Sequence, residues 1–163
     1  MKRYIYIFLI AMVPLIELRG ALPVAYVYKA SDPDFNILLS YIIIAVGNML
    51  PVPFIFFFAR KVLEWGADKP VIGRFFTWCL EKGHKGGEKL QAKAGRGLFV
   101  ALMLFVGIPL PGTGAWTGTL AASLLDMKFK ESIVAVICGV VLASVIVGVL
   151  CTLGLGAWFG ITG

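Results

Sequence analysis

Four long stretches of the chain are nearly free of charged residues. They cover residues 4–28, 36–59, 98–125 and 132–159, and charges interrupt only the first, at Glu17 and Arg19. A helix that crosses a membrane needs about 20 consecutive apolar residues, so each stretch is long enough. The composition agrees, because 60% of the 163 residues are hydrophobic and 15% are charged, against about 25% charged in soluble domains. The sequence predicts an all-α integral membrane protein.

The segment between the second and third stretches, residues 60–97, contains nine basic and four acidic residues. Basic clusters at helix ends stay on the cytoplasmic side, where anionic lipids attract them. We therefore predict a cytoplasmic linker, and we expect no nucleic-acid partner. Within the linker, Pro70 is predicted to open an amphipathic helix that lies at the membrane interface or packs under the bundle.

Proline and glycine interrupt the first and third stretches. The first contains Pro14, Gly20 and Pro23, and the third contains two prolines and four glycines between Gly107 and Gly118. Because both residue types disfavour helix, we predict that each stretch breaks there. Lipid cannot satisfy the freed backbone groups, and broken helices at membrane depth are typical of transporter sites. Kinked but continuous spans are the alternative.

The two halves of the sequence follow the same order. A shift of 94 residues superposes Gly20 on Gly114 and Phe35 on Phe129. We predict a single membrane domain, 1–163, built from two inverted repeats. Each repeat is a broken or re-entrant hairpin followed by a transmembrane helix, and the termini then lie outside. Four full spans would place the termini inside, and the positive-inside rule does not choose between these arrangements.

Glu17 and Arg19 are the candidate functional charges. A charge at the centre of a membrane helix costs about 3 kcal/mol on translocon scales, so each needs a partner or a role. We predict that Arg19, with backbone N–H groups around Gly112–Gly114, binds an anionic head group, and that Glu17 exchanges a proton. The alternative is a fixed internal ion pair. Residues two apart on a regular helix face away from each other, so a direct pair requires unwinding near Gly20 and Pro23.

Polar and glycine residues near the breaks complete the predicted substrate site. Asn48 is predicted to form hydrogen bonds between helices, with substrate contact as the alternative. The small residues Ala135, Gly139 and Ala143 favour close packing of helices and would permit a homodimer. The predicted substrate site comprises Glu17, Arg19, Gly20, Asn48, Pro111, Gly112, Thr113, Gly114, Trp116 and Thr117.

The sequence offers nothing from which an enzyme site can be assembled. The three cysteines have no metal-binding spacing, and His84 is the only histidine. No nucleophile is paired with a base in the sequence pattern. We expect no enzymatic activity, no metal and no cofactor.

Three motifs carry a family resemblance. Residues 16–23 (IELRGALP), 47–53 (GNMLPVP) and 108–118 (IPLPGTGAWTG) resemble the bacterial and archaeal small multi-drug export protein family over almost the whole chain. The arrangement is more distantly similar to DedA or VTT-domain proteins, which have two facing re-entrant hairpins and are implicated in moving lipids. This second resemblance implies inverted repeats whose tips meet, with Glu17 matching the acidic residue of the first DedA hairpin. DedA proteins carry arginines in the second hairpin, whereas residues 106–115 here are uncharged.

These resemblances and the predicted site together imply a multi-pass transporter in the inner membrane of a prokaryote. Its partners would be membrane lipids and an amphipathic anionic substrate, foremost a lipid-linked phosphate such as undecaprenyl phosphate, with proton coupling through Glu17. A proton-coupled exporter of small hydrophobic or cationic compounds is the second hypothesis. A membrane scaffold that transports nothing is the third.

Overall fold

The computed structural model describes residues 2–68, 74, 77, 81, 97–110 and 112–154. Every long regular element in these ranges is an α-helix, which confirms the predicted all-α class. Two stretches are long and apolar enough to cross a membrane, Ile37–Ala59 and Phe129–Thr152. The helices are α1 (Lys2–Met12), α2 (Glu17–Ser31), α3 (Ile37–Met49), α4 (Val52–Ala67), α5 (Gly97–Gly107), α6 (Ala115–Leu124) and α7 (Phe129–Thr152).

Helices α1 and α2 form a hairpin whose outer ends lie side by side. Arg3 donates a hydrogen bond to Asp32 at 2.7 Å, and the ring of Tyr4 stacks on Phe35 with centroids 4.7 Å apart. The chain thus turns at residues 13–16 and returns to the end where it began. Helix α1 has 11 residues, which is about 17 Å at 1.5 Å per residue, little more than half of the roughly 30 Å hydrocarbon core of a bilayer.

The first break is shorter than predicted. We expected the helix to be lost as far as Pro23, but α2 runs through both Gly20 and Pro23. A proline in a helix removes one backbone hydrogen bond, and the fully buried side chain of Leu22 shows that tertiary packing holds this part of α2 in place. The break itself coincides with positive φ angles at Leu15 (+70°) and Glu17 (+50°).

The second hairpin consists of α5, a turn over residues 108–114, and α6. The predicted break is again confined to the turn, because α6 is helical through Gly118. Gly112 and Gly114 have φ angles of +81° and +155°, which glycine adopts without the steric penalty of a side chain. Pro111, a predicted site residue, lies outside the described residues.

The helices of the two halves pair in the same way. In the first half α1 packs on α2 and α3, and α2 packs on α3; in the second half α5 packs on α6 and α7, and α6 packs on α7. Between the halves, α2 packs on α7 and α4 packs on α6. Each hairpin therefore packs between the long helix of its own half and a helix of the other half.

Small residues allow the close helix approaches. A Cβ at Gly47 would lie 2.8 Å from the carbonyl oxygen of Phe8, and one at Gly139 would lie 2.7 Å from that of Met103. The small-residue face predicted on α7 thus serves packing within the chain. The homodimer stays a prediction.

Helices α3 and α4 form one nearly continuous rod. They meet at a turn over Leu50 and Pro51, and the N–H of Leu50 still donates to the carbonyl of Val46 at 3.0 Å. Helix α4 continues to Ala67, beyond the end of the apolar stretch at residue 59. Residues 74, 77 and 81 of the linker are helical and exposed, and the rest of the predicted interfacial helix lies outside the described residues.

Candidate functional site

The carboxylate of Glu17 lies at the N-terminus of α6. Its Oε2 accepts a hydrogen bond from the backbone N–H of Ala115 at 3.0 Å, and its Oε1 accepts one from Trp116 at 2.9 Å. The first N–H groups of a helix have no partner within the helix, and the helix dipole makes this end positive. Glu17 is only 2% exposed. The protein's own carboxylate therefore fills the position that an anionic ligand takes at a helix N-terminus.

The guanidinium group of Arg19, a residue of α2, lies at the C-terminus of α5, across the turn over residues 108–114 from the N-terminus of α6. Its Nη2 donates to the hydroxyl of Thr113 at 2.9 Å, to the carbonyl of Ile108 at 3.3 Å and to that of Val106 at 3.4 Å. The last carbonyls of a helix also lack partners within it, and this end of the dipole is negative. Arg19 is 7% exposed, so its charge is compensated by α5 and the turn.

The two charges also face each other. Arg19 Nη1 lies 3.9 Å from Glu17 Oε2, although residues two apart on a regular helix point in different directions. The unwinding that the sequence required is present, but it occurs at Leu15 and Glu17 rather than at Gly20 and Pro23. Glu17 opens α2 with a positive φ angle, and this conformation departs from the regular helix that would separate the two side chains.

Gly114 gives the pair the space it needs. A Cβ at this position would overlap Glu17 Oε2 and lie 2.7 Å from Arg19 Nη1. The other predicted glycines contribute differently, because a Cβ at Gly112 would meet open space and one at Gly20 would overlap the side chain of Ile16. Of the three, Gly114 is the one that contacts the ion pair.

The two threonines of the second tip bond to its backbone. The hydroxyl of Thr113 accepts from Arg19 and lies 2.9 Å from the carbonyl of Ile108 and 3.0 Å from that of Leu110, so it donates to one of these. Thr117 donates to the carbonyl of Gly114 at 3.5 Å. Thr113 therefore links Arg19 to the turn, while Thr117 makes only a long bond in the first turn of α6.

Two hydrogen-bond donors of residues that contact Glu17 are buried without a partner in the described part of the chain. They are Arg19 Nε and Trp116 Nε1. Both amide atoms of Asn48 are also buried and unpaired there, and Asn48 is not part of the hydrogen-bond network of Glu17 and Arg19. The structure thus brings together Glu17, Arg19, Thr113, Gly114 and Trp116, and it leaves Asn48 apart.

The sequence model of the family described as "Putative small multi-drug export protein" matches residues 17–146. The chain belongs to this family. The predicted membership is confirmed, and the match spans both hairpin tips. Membership in an export family and the two long apolar helices together identify a membrane protein. Searches of curated proteins and of solved structures find no match, and the likeness to DedA proteins stays a prediction.

This member of the small multi-drug export family also has an open apolar groove, and Trp116, whose backbone N–H bonds to Glu17, lines it. The groove has a volume of about 460 Å³. Its walls come from the first tip, from α4 and from α6, and they include Pro14, Leu15, Phe58, Val62, Trp116 and Leu120. Of the groove walls, the sequence predicted only Trp116 and Thr117 as site residues, because an apolar residue that lines a groove cannot be told in sequence from one that faces lipid.

Proposed function

We propose that this protein is a membrane transporter that moves an amphipathic anionic substrate without changing it chemically. One observation carries the proposal: the Glu17 carboxylate accepts hydrogen bonds from the backbone N–H groups of Ala115 and Trp116, at the N-terminus of α6. A site that already binds one anion within the protein has the geometry to bind another. A lipid-linked phosphate, of which undecaprenyl phosphate is an example, has the required charge and apolar chain.

Proton exchange at Glu17 would open the site. When the carboxylate takes up a proton it loses its negative charge, and its bonds to the α6 N-terminus lose their charge-assisted strength. The anionic head group then accepts hydrogen bonds from the backbone N–H groups of Ala115 and Trp116, in place of Glu17. Arg19 Nε and Trp116 Nε1, which are buried and unpaired, supply further donors to the phosphate oxygens. Departure of the substrate and of the proton returns Glu17 to the helix end.

The contact between Arg19 and Thr113 supports an inverted-repeat arrangement. These residues are 94 positions apart and lie within hydrogen-bond distance, and 94 is also the shift that superposes the two halves of the sequence. Positions related by a two-fold axis touch each other only at that axis. We therefore propose that the hairpin tips meet at a pseudo-two-fold axis in the inner membrane of a prokaryote, with the linker inside and the termini outside.

The topology can be tested by labelling single cysteines with a reagent that does not cross membranes. The cysteines are placed at Lys2 and at Glu81, in a background that lacks the native cysteines. We expect labelling of position 2 from the outside and of position 81 only after the cells are opened. Labelling of both positions from the same side would overturn the inverted-repeat arrangement.

Transport can be tested with the full chain in proteoliposomes, with a long-chain alkyl phosphate as the probe. We expect Glu17→Gln and Arg19→Gln each to slow its movement across the bilayer at least about tenfold, a loss of about 1.4 kcal/mol. Glu131→Gln and Lys128→Gln are matched controls, because this exposed pair lies at the start of α7. Wild-type rates in both site variants, with helical content and elution volume unchanged, would contradict the proposal.

A proton-coupled exporter of small hydrophobic cations is the second candidate. Two observations favour it: the apolar groove lined by Trp116, whose backbone N–H bonds to Glu17, and the name of the family. Loss of Arg19 distinguishes the candidates, since Arg19→Gln should abolish anion transport but free Glu17 for a cation and preserve or raise cation export. A non-transporting scaffold would move neither probe.

A further inference from the structure

We infer that the apolar groove beside Trp116 holds the hydrocarbon chain of the transported amphiphile, so that the substrate reaches the hairpin tips sideways from the lipid. This inference rests on the proposed function and specifies its substrate class. It predicts that both the hydrocarbon chain and the charged head group of the substrate contribute to binding.

The groove and the anion position share one residue. The backbone N–H of Trp116 bonds to Glu17 at 2.9 Å, and Trp116 also forms part of the groove wall, next to Thr117. A molecule whose head group replaced the carboxylate would therefore have the groove beside its first chain atoms.

The groove is open at the side of the molecule. Leu15, Phe58, Val62 and Leu120 are all exposed, and each belongs to its wall. With the candidate span Ile37–Ala59 in a bilayer, the part of this side that contains Phe58 would face hydrocarbon, close to the membrane interface that begins after Ala59. An apolar concavity in that solvent fills with acyl or isoprenoid chains, since the lipid interior is as apolar as a leucine side chain.

The shape of the walls favours a lipid chain over a second protein helix. Helices in membranes associate through small residues that let backbones approach closely. Among the groove walls only Ala59 and Thr117 are small, whereas Phe58, Trp116 and Leu120 are large. A thin flexible chain fits between such side chains, and a second copy of this protein would be held away by them.

Transfer of the hydrocarbon chain out of water sets a preference for long amphiphiles. Each methylene raises partition from water into the bilayer about fourfold, so a probe with a long chain reaches the groove at a higher concentration and should compete far better than one with a short chain. Inorganic phosphate, which has the head group alone, should compete weakly.

The inference can be tested with an alkyl phosphate that carries a photoreactive diazirine in the middle of its chain. The full-length protein is reconstituted in vesicles and illuminated, and the labelled peptides are mapped by mass spectrometry. We expect labels on α4 and α6, with labelling reduced by an excess of the unmodified alkyl phosphate. Val62→Trp should occupy part of the groove and lower both labelling and transport about tenfold, because the indole competes with the hydrocarbon chain for the same space.

Val141→Trp is the matched control, because Val141 is 55% exposed on α7 and Val62 is 50% exposed on α4. Equal labelling and transport in the two variants would overturn the inference but leave the proposed function intact. Equal labelling by an uncharged alkanol carrying the same diazirine would also overturn it, because the groove would then hold bulk lipid. Crosslinks between two copies at the groove would overturn it in favour of a dimer. Phosphate-dependent labelling without any transport would support the bound amphiphile and contradict the proposed function.

Discussion

The two hairpin tips solve the same structural problem with opposite means. The first turns over residues 13–16 and is followed at once by the buried charges Glu17 and Arg19, whereas the second turns over residues 108–114 and contains no charge. The first tip supplies side-chain charges, and the second supplies the ends of two helices. The helix pairings therefore repeat between the two halves, whereas the chemistry of the two tips differs.

Each tip removes the cost that the other would incur alone. A buried ion costs several kcal/mol unless it is paired and hydrogen-bonded, and the N–H and C=O groups at a helix break are costly in lipid. Glu17 bonds to the N-terminus of α6, and Arg19 bonds to carbonyls at the C-terminus of α5. Because the compensation is mutual, disruption on either side should destabilise both hairpins.

The largest effect should come from the charge itself. Glu17→Leu removes the counter-charge of Arg19 and leaves two N–H groups unpaired, so we expect the free energy of unfolding to fall by about 3–5 kcal/mol. Titration with sodium dodecyl sulfate in mixed micelles measures this quantity, and Glu131→Leu is the exposed control.

In the double variant Glu17→Gln/Arg19→Gln the loss in the free energy of unfolding should be smaller than the sum of the losses in Glu17→Gln and Arg19→Gln alone. Additive losses would mean that the two charges act independently.

The glycines of the second tip provide a matched pair for the next test. Gly114→Ala introduces a Cβ that overlaps Glu17 at a φ angle of +155°, and we expect a loss of about 3 kcal/mol. Gly112→Ala also has a positive φ angle but meets open space, so about 1 kcal/mol is expected. The same denaturation measurement applies. Equal losses would show that backbone strain alone matters and that contact with the ion pair does not.

The shape of the cation is tested by Arg19→Lys. The charge is kept, but a single ammonium group cannot replace both Nη2, which donates to Thr113 and two carbonyls, and Nη1, which faces Glu17, so about 2 kcal/mol of stability should be lost. Arg3→Lys at the exposed pair with Asp32 should change stability by less than about 0.5 kcal/mol. A wild-type unfolding midpoint for Arg19→Lys would indicate that charge alone holds the tips together.

The smallest effect concerns the threonines. Thr113→Val removes the bond that Arg19 donates at 2.9 Å, and we expect a loss of about 1 kcal/mol. Thr117→Val removes only a 3.5 Å bond to Gly114, which should contribute less than about 0.5 kcal/mol. Thermal unfolding monitored by circular dichroism ranks the two variants. The reverse order would place the second tip's key hydroxyl at Thr117.

Much of the fold follows from the sequence, because hydrophobic length and proline and glycine content act locally. The long apolar helices and the two interruptions were predictable on those grounds. The extent of each break was not, since the propensities of Gly20 and Pro23 are outweighed by the packing of buried neighbours such as Leu22. Positive φ angles at Leu15 and Glu17 were also unpredictable, because neither residue type favours that conformation.

The candidate site was only partly predictable for a different reason. Glu17, Arg19 and Gly114 stand out because charges and glycines are conspicuous in an apolar sequence. Glu17 bonds to the backbone N–H groups of Ala115 and Trp116. Every residue except proline has such a group, and these two are available only because they lie at the start of a helix. The sequence predicted that N–H groups around Gly112–Gly114 bind a ligand. In the structure the next two N–H groups along the chain, those of Ala115 and Trp116, bond instead to the carboxylate of Glu17.

The polar contacts between the tips join residues that are 87 to 99 positions apart, which has a consequence for biosynthesis. A ribosome adds about 5–20 residues each second, so the first hairpin exists for roughly 5–20 s before the start of α6 has been made. During that time Glu17 and Arg19 lack the hydrogen-bond partners that the second tip provides, so their entry into the lipid is costly. Full insertion of the first hairpin therefore follows synthesis of the second tip.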